Sequence, residues 1–200
     1  MAEGPSYRVP FRRRKEGKTD YRLRRALVLS KQPRLVVRPT LRHTIAQIVK
    51  AKTNGDMVIT SAHSQDLRKR FGWQGSCKNL PAAYLTGLLC GYRAVAQGAK
   101  KAVLDIGLRR PSQGSRVFAV LKGALDAGML IPHDEKVLPT EERVGGRHVA
   151  DYARKLLAGS DSSQTTAFTQ LSKELRPDQL FKHFALTKEK ITSSSTEENT

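Results

Sequence analysis

Acidic residues are scarce in this chain: 18 Asp and Glu stand against 36 Lys and Arg, which leaves a net charge of +18 and a pI near 10.4. A chain with that surplus repels itself, so the excess implies an anionic partner, either a nucleic acid or an anionic membrane surface. Long apolar runs are also missing. None approaches the ~20 residues of a spanning helix, and no apolar block follows the charges of the opening MAEGPSYRVPFRRRKEGK. A secretory signal and a membrane anchor are therefore not expected. Cysteine is limited to Cys77 and Cys90, too few for a disulfide framework and suited to a reducing cytoplasm. Hydrophobic residues reach 38% and aromatics 6%, enough for a modest core that leaves part of the chain unpacked.

Recognisable catalytic sets are absent as well. None of His43, His63, His133, His148 and His183 stands at metal-ligand spacing from another His or Cys, so structural roles are their default. No Ser/His/Asp or Cys/His grouping is suggested locally. Asp105 reads as a catalytic carboxylate or, better, as a loop anchor bonded to nearby N–H or arginine groups. No cofactor, metal or small-molecule substrate is expected.

What the chain does have is basic charge, unevenly placed. Residues 1–50 carry 14 basic and 3 acidic residues, and the other 150 carry 22 and 15. Arg8, Arg12, Arg13, Arg14, Lys15 and Lys18 lie in a segment broken by Gly4, Pro5, Pro10 and Gly17, which predicts an extended arm that orders on a polyanion. Asp20 then suits the cap of a short basic helix, YRLRRALVLSK, holding Arg22, Arg24 and Arg25, and Pro33 stops it. Arginine pairs with phosphates bidentately and stacks on bases, and Tyr7, Phe11 and Tyr21 add stacking surface. The bland alternative is a solvated tail, but the charge continues to Arg34, Arg38 and Arg42.

The middle of the chain changes period. Arg34–Arg38, His43–Lys52 and Asp56–Ser61 read as three strands of an antiparallel meander, with a tight turn at Asn54-Gly55. Pro81–Gly98 has helical spacing, Lys101–Leu108 is an apolar run of buried-strand type, and Ser115–Gly128 is helical again. Gly87 and Gly91 fit a close approach of their helix to the sheet. Val144–Leu157 turns helical after two glycines, Gly159–Thr169 reads as a linker, and Leu171–Ile191 holds one or two short helices before a polar tail, TSSSTEENT. The expected fold is α/β: a mixed sheet containing the meander, a helix-strand-helix unit packed on it, a basic extended N-terminal arm and a helical C-terminal extension. The expected divisions are the arm at 1–33, an α/β body at 34–132, a helical extension at 133–158, and linker, short helices and tail at 159–200.

Two further features bear on binding. The loop Gly107-Leu-Arg-Arg-Pro-Ser-Gln-Gly114 precedes a helix start, where anions are favoured. It lacks the Lys-Ser/Thr pair and glycine spacing of a nucleotide phosphate loop, so Arg109 and Arg110 suit a polynucleotide phosphate or plain solvent. Trp73, the only tryptophan, suits packing over the following helix or stacking on a base.

Four ordered stretches carry a resemblance. They are YRVPFRRRKEGKTDYRLRRALVLSKQPRLVVRPTLRHTIAQIVKAKTNGD, LPAAYLTGLLCGYRAVAQGAKKAVLDIGL, SRVFAVLKGALDAGMLIPH and GGRHVADYA. Across roughly residues 5–155 the chain resembles the archaeal L eighteen family of large-subunit ribosomal proteins, whose eukaryotic relative is L five. The resemblance implies a non-enzymatic role: binding 5S ribosomal RNA and fixing it to 23S ribosomal RNA in the central protuberance, beside a neighbouring 5S-binding ribosomal protein and other large-subunit proteins. It maps RNA-gripping positions onto Arg8, Arg12, Arg13, Arg14, Lys15, Lys18, Tyr21, Arg22 and Arg25, and onto Arg34, Arg38 and Arg42. Little resemblance remains after about Ala158. The rival classes need features that do not stand out. An RNA-processing enzyme on an α/β scaffold wants an acid pair, a metal trio or a true phosphate loop, and a DNA-binding regulator wants a helix-turn-helix or a dimer element.

Overall fold

The computed structural model describes residues 4–158 and 175–197. Its centre is a four-stranded mixed sheet of order β3-β2-β1-β4. β1 (Arg34–Pro39), β2 (Thr44–Lys52) and β3 (Gly55–His63) form the expected antiparallel meander, and β4 (Val103–Asp105) pairs parallel to β1. Side-chain alternation puts Leu35, Val37, Ala46, Ile48 and Ala62 on one face, each at most 1% exposed. That face packs on α4 (Leu80–Ala96) and α5 (Arg116–Asp126). The other face carries the half-exposed Val36, Arg38, Ile45, Gln47 and His63.

The N-terminal segment contains α1 (Arg12–Lys15) and α2 (Tyr21–Leu29). The single turn of α1 departs from the extended arm expected there. Phe11 packs on Tyr21 with ring centroids 4.9 Å apart, and Arg13 donates to the Thr19 hydroxyl, so this stretch folds back on itself. In α2 the cap is the expected one: the Asp20 carboxylate accepts from the backbone N–H groups of Arg22 and Leu23. The β2–β3 turn falls one residue early, on Thr53 and Asn54. Lys52 pairs with Gly55, which alone in the turn takes a positive φ, at 129°.

Helix α3 (Ser64–Phe71) was invisible to periodicity because Leu67 is its one buried apolar residue. It is set by its ends. The His63 imidazole and the Asp66 carboxylate form a reciprocal capping box, and Gly72 closes the helix in the left-handed region. Helix α4 is buried nearly all round, held between the sheet, α5 and α8 (Leu180–Glu197). Its two glycines meet α5 and not the sheet. A Cβ on Gly87 would overlap the Val120 carbonyl, and one on Gly91 would come within 2.6 Å of the Ala127 methyl. Opposite them, a Cβ on Gly123 would overlap the Tyr84 carbonyl, so both backbones are bare where the helices cross.

β4 is shorter than the Lys101–Leu108 run suggested. Asp105 turns inward, Gly107 takes φ 64°, and Leu108 is 56% exposed. After α6 (Glu141–Val144) and α7 (Arg147–Ala158), the expected linker at 159–169 lies outside the described residues. Among the described residues, the C-terminal stretch holds one long helix in place of short pieces, and it takes in Thr192–Glu197 of the expected tail. A 3-10 turn at Pro177–Gln179 leads into α8, which buries Leu180, Phe184 and Ile191 in the core. Thr192, Ser193 and Ser194 return their hydroxyls to the carbonyls of Lys188, Lys190 and Ile191. This back-bonding lets a Ser/Thr run stay helical once Ile191 anchors it. No described helix is long and apolar enough to cross a membrane.

Candidate nucleic-acid interface

The arm reaches the body through charge. No side chain of α2 is buried, yet Arg24 holds Asp56, at the start of β3, with both terminal nitrogens at 2.8 and 2.7 Å. Asp56 is shared with Arg34 at 2.7 Å, and Arg34 in turn pairs with Asp105 at 2.7 Å. Asp105 also accepts from Arg38 at 3.1 Å and from the Gly107 N–H at 2.9 Å. Arg24, Asp56, Arg34, Asp105 and Arg38 thus form one alternating line from the arm helix to the β4–α5 loop. The Asp56 hydrogen bond raises the pKa of Arg24, and the Arg24 bond with that of Arg34 holds Asp56 below the usual carboxylate range against the opposing effect of burial. Asp105 is the loop anchor that its context suggested.

Two of the residues expected to contact RNA are buried in this geometry. Arg34 is only 2% exposed and its guanidinium is held between two carboxylates, so it has no face for a phosphate. β-Strand alternation turns it toward the acid pair, and the surplus of basic residues concealed that. Trp73 is 1% exposed, with its indole N–H directed to the Ser76 carbonyl and its ring stacked on His183 of α8 at 5.1 Å. Neither face is open to a base. Its role is to dock α8, helped by the Gln74 N–H donated to His183.

The remaining expected residues lie at or near the surface. Arg8, Arg12, Arg13, Arg14, Lys15, Lys18, Arg22 and Arg25 are exposed on the arm, and Tyr21 is half-buried beside Phe11. Glu16 pairs with Arg12 and Lys18 in open contacts that contribute little to stability. Arg42, Arg109 and Arg110 are exposed on the body, and Arg38 is half-exposed beside Gly107. The arm and the loops at one end of the sheet are therefore two separate basic surfaces, joined by a line of ion pairs that is buried only at Arg34 and Asp105.

Among the described residues, no group of three His, Cys, Asp or Glu could hold a metal ion. Cys77 and Cys90 are buried thiols, and burial pushes Cys90 up to about 12, far from a reactive thiolate. An open, largely apolar depression of about 380 Å³ is lined by Leu125, Met129, Leu130, Ile131 and Pro132 together with Gln32, Lys101 and His133.

A two-layer α/β body with a basic arm and basic loops has the charge distribution that suits a polyanionic partner. The sequence profile of the ribosomal large subunit proteins 60S L5 and 50S L18 matches residues 5–101 and 94–134. The chain belongs to this family of large-subunit ribosomal proteins. Membership makes it a structural component of the ribosome, in the cytoplasm, with ribosomal RNA and other ribosomal proteins as its partners.

Proposed function

We propose that this protein binds 5S ribosomal RNA and helps attach it to 23S ribosomal RNA in the central protuberance, beside a second 5S-binding ribosomal protein. One observation carries the reading. An arm dense in exposed arginine buries no side chain of α2, yet the Arg24–Asp56 ion pair fixes that helix to the body. A helix that buries no residue, while Arg22 and Arg25 stay exposed, is suited to contact with something else.

In this reading the arm, residues 1–33, grips RNA through Arg8, Arg12, Arg13, Arg14, Lys15, Lys18, Tyr21, Arg22 and Arg25. The body at 34–132 supplies Arg38, Arg42, Arg109 and Arg110, residues 133–158 extend the body as helix, and residues 159–200 serve lineage-specific packing onto RNA or protein. The mechanism is architectural: cations neutralise crowded phosphates where two RNAs approach, and released counterions make the affinity fall steeply with salt. No bond is made or broken.

The test is deletion of residues 1–25. Tight binding to a 5S RNA transcript is expected to disappear, while circular dichroism still reports a folded body because no side chain of α2 lies in the core. Unchanged affinity in the truncated protein would remove the arm from the primary role.

A further inference from the structure

Helix α8 meets the body through a contact that requires an imidazole without a proton. The ring of His183 stacks on the Trp73 indole with centroids 5.1 Å apart, and Gly75 lies against that indole where a Cβ would overlap it. The Gln74 N–H donates to His183 Nε2 at 3.0 Å. A backbone N–H can only donate, so this ring nitrogen accepts and carries no hydrogen. Farther along α8, the Phe184 ring lies 5.6 Å from that of Tyr84, Lys188 stands 5.4 Å from the Tyr84 centroid, and Ile191 is buried.

A proton on Nε2 would set one N–H against another and place a second cation near Lys190. The surroundings do not favour that cation. Burial lowers the pKa of His183 from 6.5, and Lys190 adds to the lowering. The elements packed against α8 are α3, α4, α7 and the 3-10 turn. Cations predominate on them: Arg68, Lys69 and Arg70 on α3, Arg93 on α4, and Arg147, Arg154 and Lys155 on α7. Of their acids, Asp66 caps α3 and lies 3.6 Å from Arg93, Asp151 pairs with Arg154, and Asp178 stands on the 3-10 turn; none of them raises the His183 pKa. The other imidazole on these elements is His148, exposed on α7.

We propose that α8 is a strap on the body, fastened at Trp73 by neutral His183 and loosened when that ring takes up a proton. The pKa of the docked ring lies below the ordinary imidazole value. The fastening is therefore whole above that ordinary value and is lost as pH falls through the lowered one. Between the two values the closing constant falls by about tenfold per pH unit. Loosening bares the seat of Trp73, which is 1% exposed with α8 in place. The device does not depend on the RNA-binding reading.

The test is amide exchange by NMR on the full chain, corrected for the intrinsic exchange rate, between about pH 7.5 and about pH 5. Protection at Gln74 and along residues 180–187 is expected to fall about tenfold, with its midpoint at the titration of the His183 ring, while protection in α4 holds. His148→Gln should keep that fall. His183→Gln, whose amide oxygen can still accept from Gln74, should abolish it. Protection of α8 that ignores pH, an equal fall in α4, or a fall that survives in His183→Gln or vanishes in His148→Gln overturns the strap. The wild-type titration is read at His183 itself, so a ring that titrates at or above 6.5 overturns it even where the His183 variant fails to seat α8.

Discussion

Helices α2 and α4 are attached to this protein in opposite ways. In α4, 12 of 17 residues are buried, and its glycines let it touch α5 backbone to backbone. In α2, none of 9 residues is buried, and the capping Asp20 and the Arg24–Asp56 pair define its place. Burial gives α4 a position that solvent cannot compete for. An ion pair gives α2 direction at little net stability, about 0–1 kcal/mol for a pair this open. The first arrangement serves the fold, and the second keeps a helix available for a partner.

The contrast breaks hardest at α4. Gly87→Leu would drive a side chain into the Val120 carbonyl, and a cost of about 3 kcal/mol or more is expected, read as a large drop in the thermal midpoint. No substitution on the exposed face of α2 should approach it.

The next largest effect belongs to Asp56→Asn. It raises the net charge by one, so a plain charge field predicts tighter RNA binding. A latch that sets the direction of α2 predicts the reverse, and about fivefold weaker binding is expected because the arm must then be ordered at the moment of contact. Equilibrium binding at constant salt decides by sign. The latch has a definite pH range too. The folded-state pKa of Asp56 is depressed by Arg24 and Arg34, so its contribution is present above the ordinary carboxylate pKa and is lost as pH falls through the lowered one. Side-chain titration by NMR should show α2 held at neutral pH and released only in acid.

The smallest effect is expected at the cap. Asp20→Ala removes the acceptor for two N–H groups and should cost α2 about 1 kcal/mol. Helical content near residues 21–29 should fall while the global thermal midpoint stays in place.

Local signals were readable in the sequence where one residue does the work alone. Asp20 announced its cap, the meander followed from alternation in residues 44–52, and Asp105 in its apolar strand pointed to an anchoring carboxylate. Pairings between distant segments were not readable. Arg34 looked like its exposed neighbours because Asp56 and Asp105, its partners, lie 22 and 71 residues away. Gly87 promised a close approach but did not say to what, since α5 begins 29 residues later. The polar ending of the chain concealed α8, whose helical continuation depends on one buried isoleucine. The 5S RNA assignment came from family likeness in the first 155 residues, and no charge pattern could have supplied it.

Arg34 has one further consequence. It sits midway along the line of charges that joins the arm helix to the Gly107 turn, and its two carboxylates fix how far apart those elements stand. In the RNA-binding reading, a ligand that engages both must already hold its phosphates at that interval. A stiff folded RNA does so, whereas a limp strand would have to be straightened first. The arginine that touches no phosphate would then act as a gauge, turning a distance set inside the protein into a preference for shape outside it.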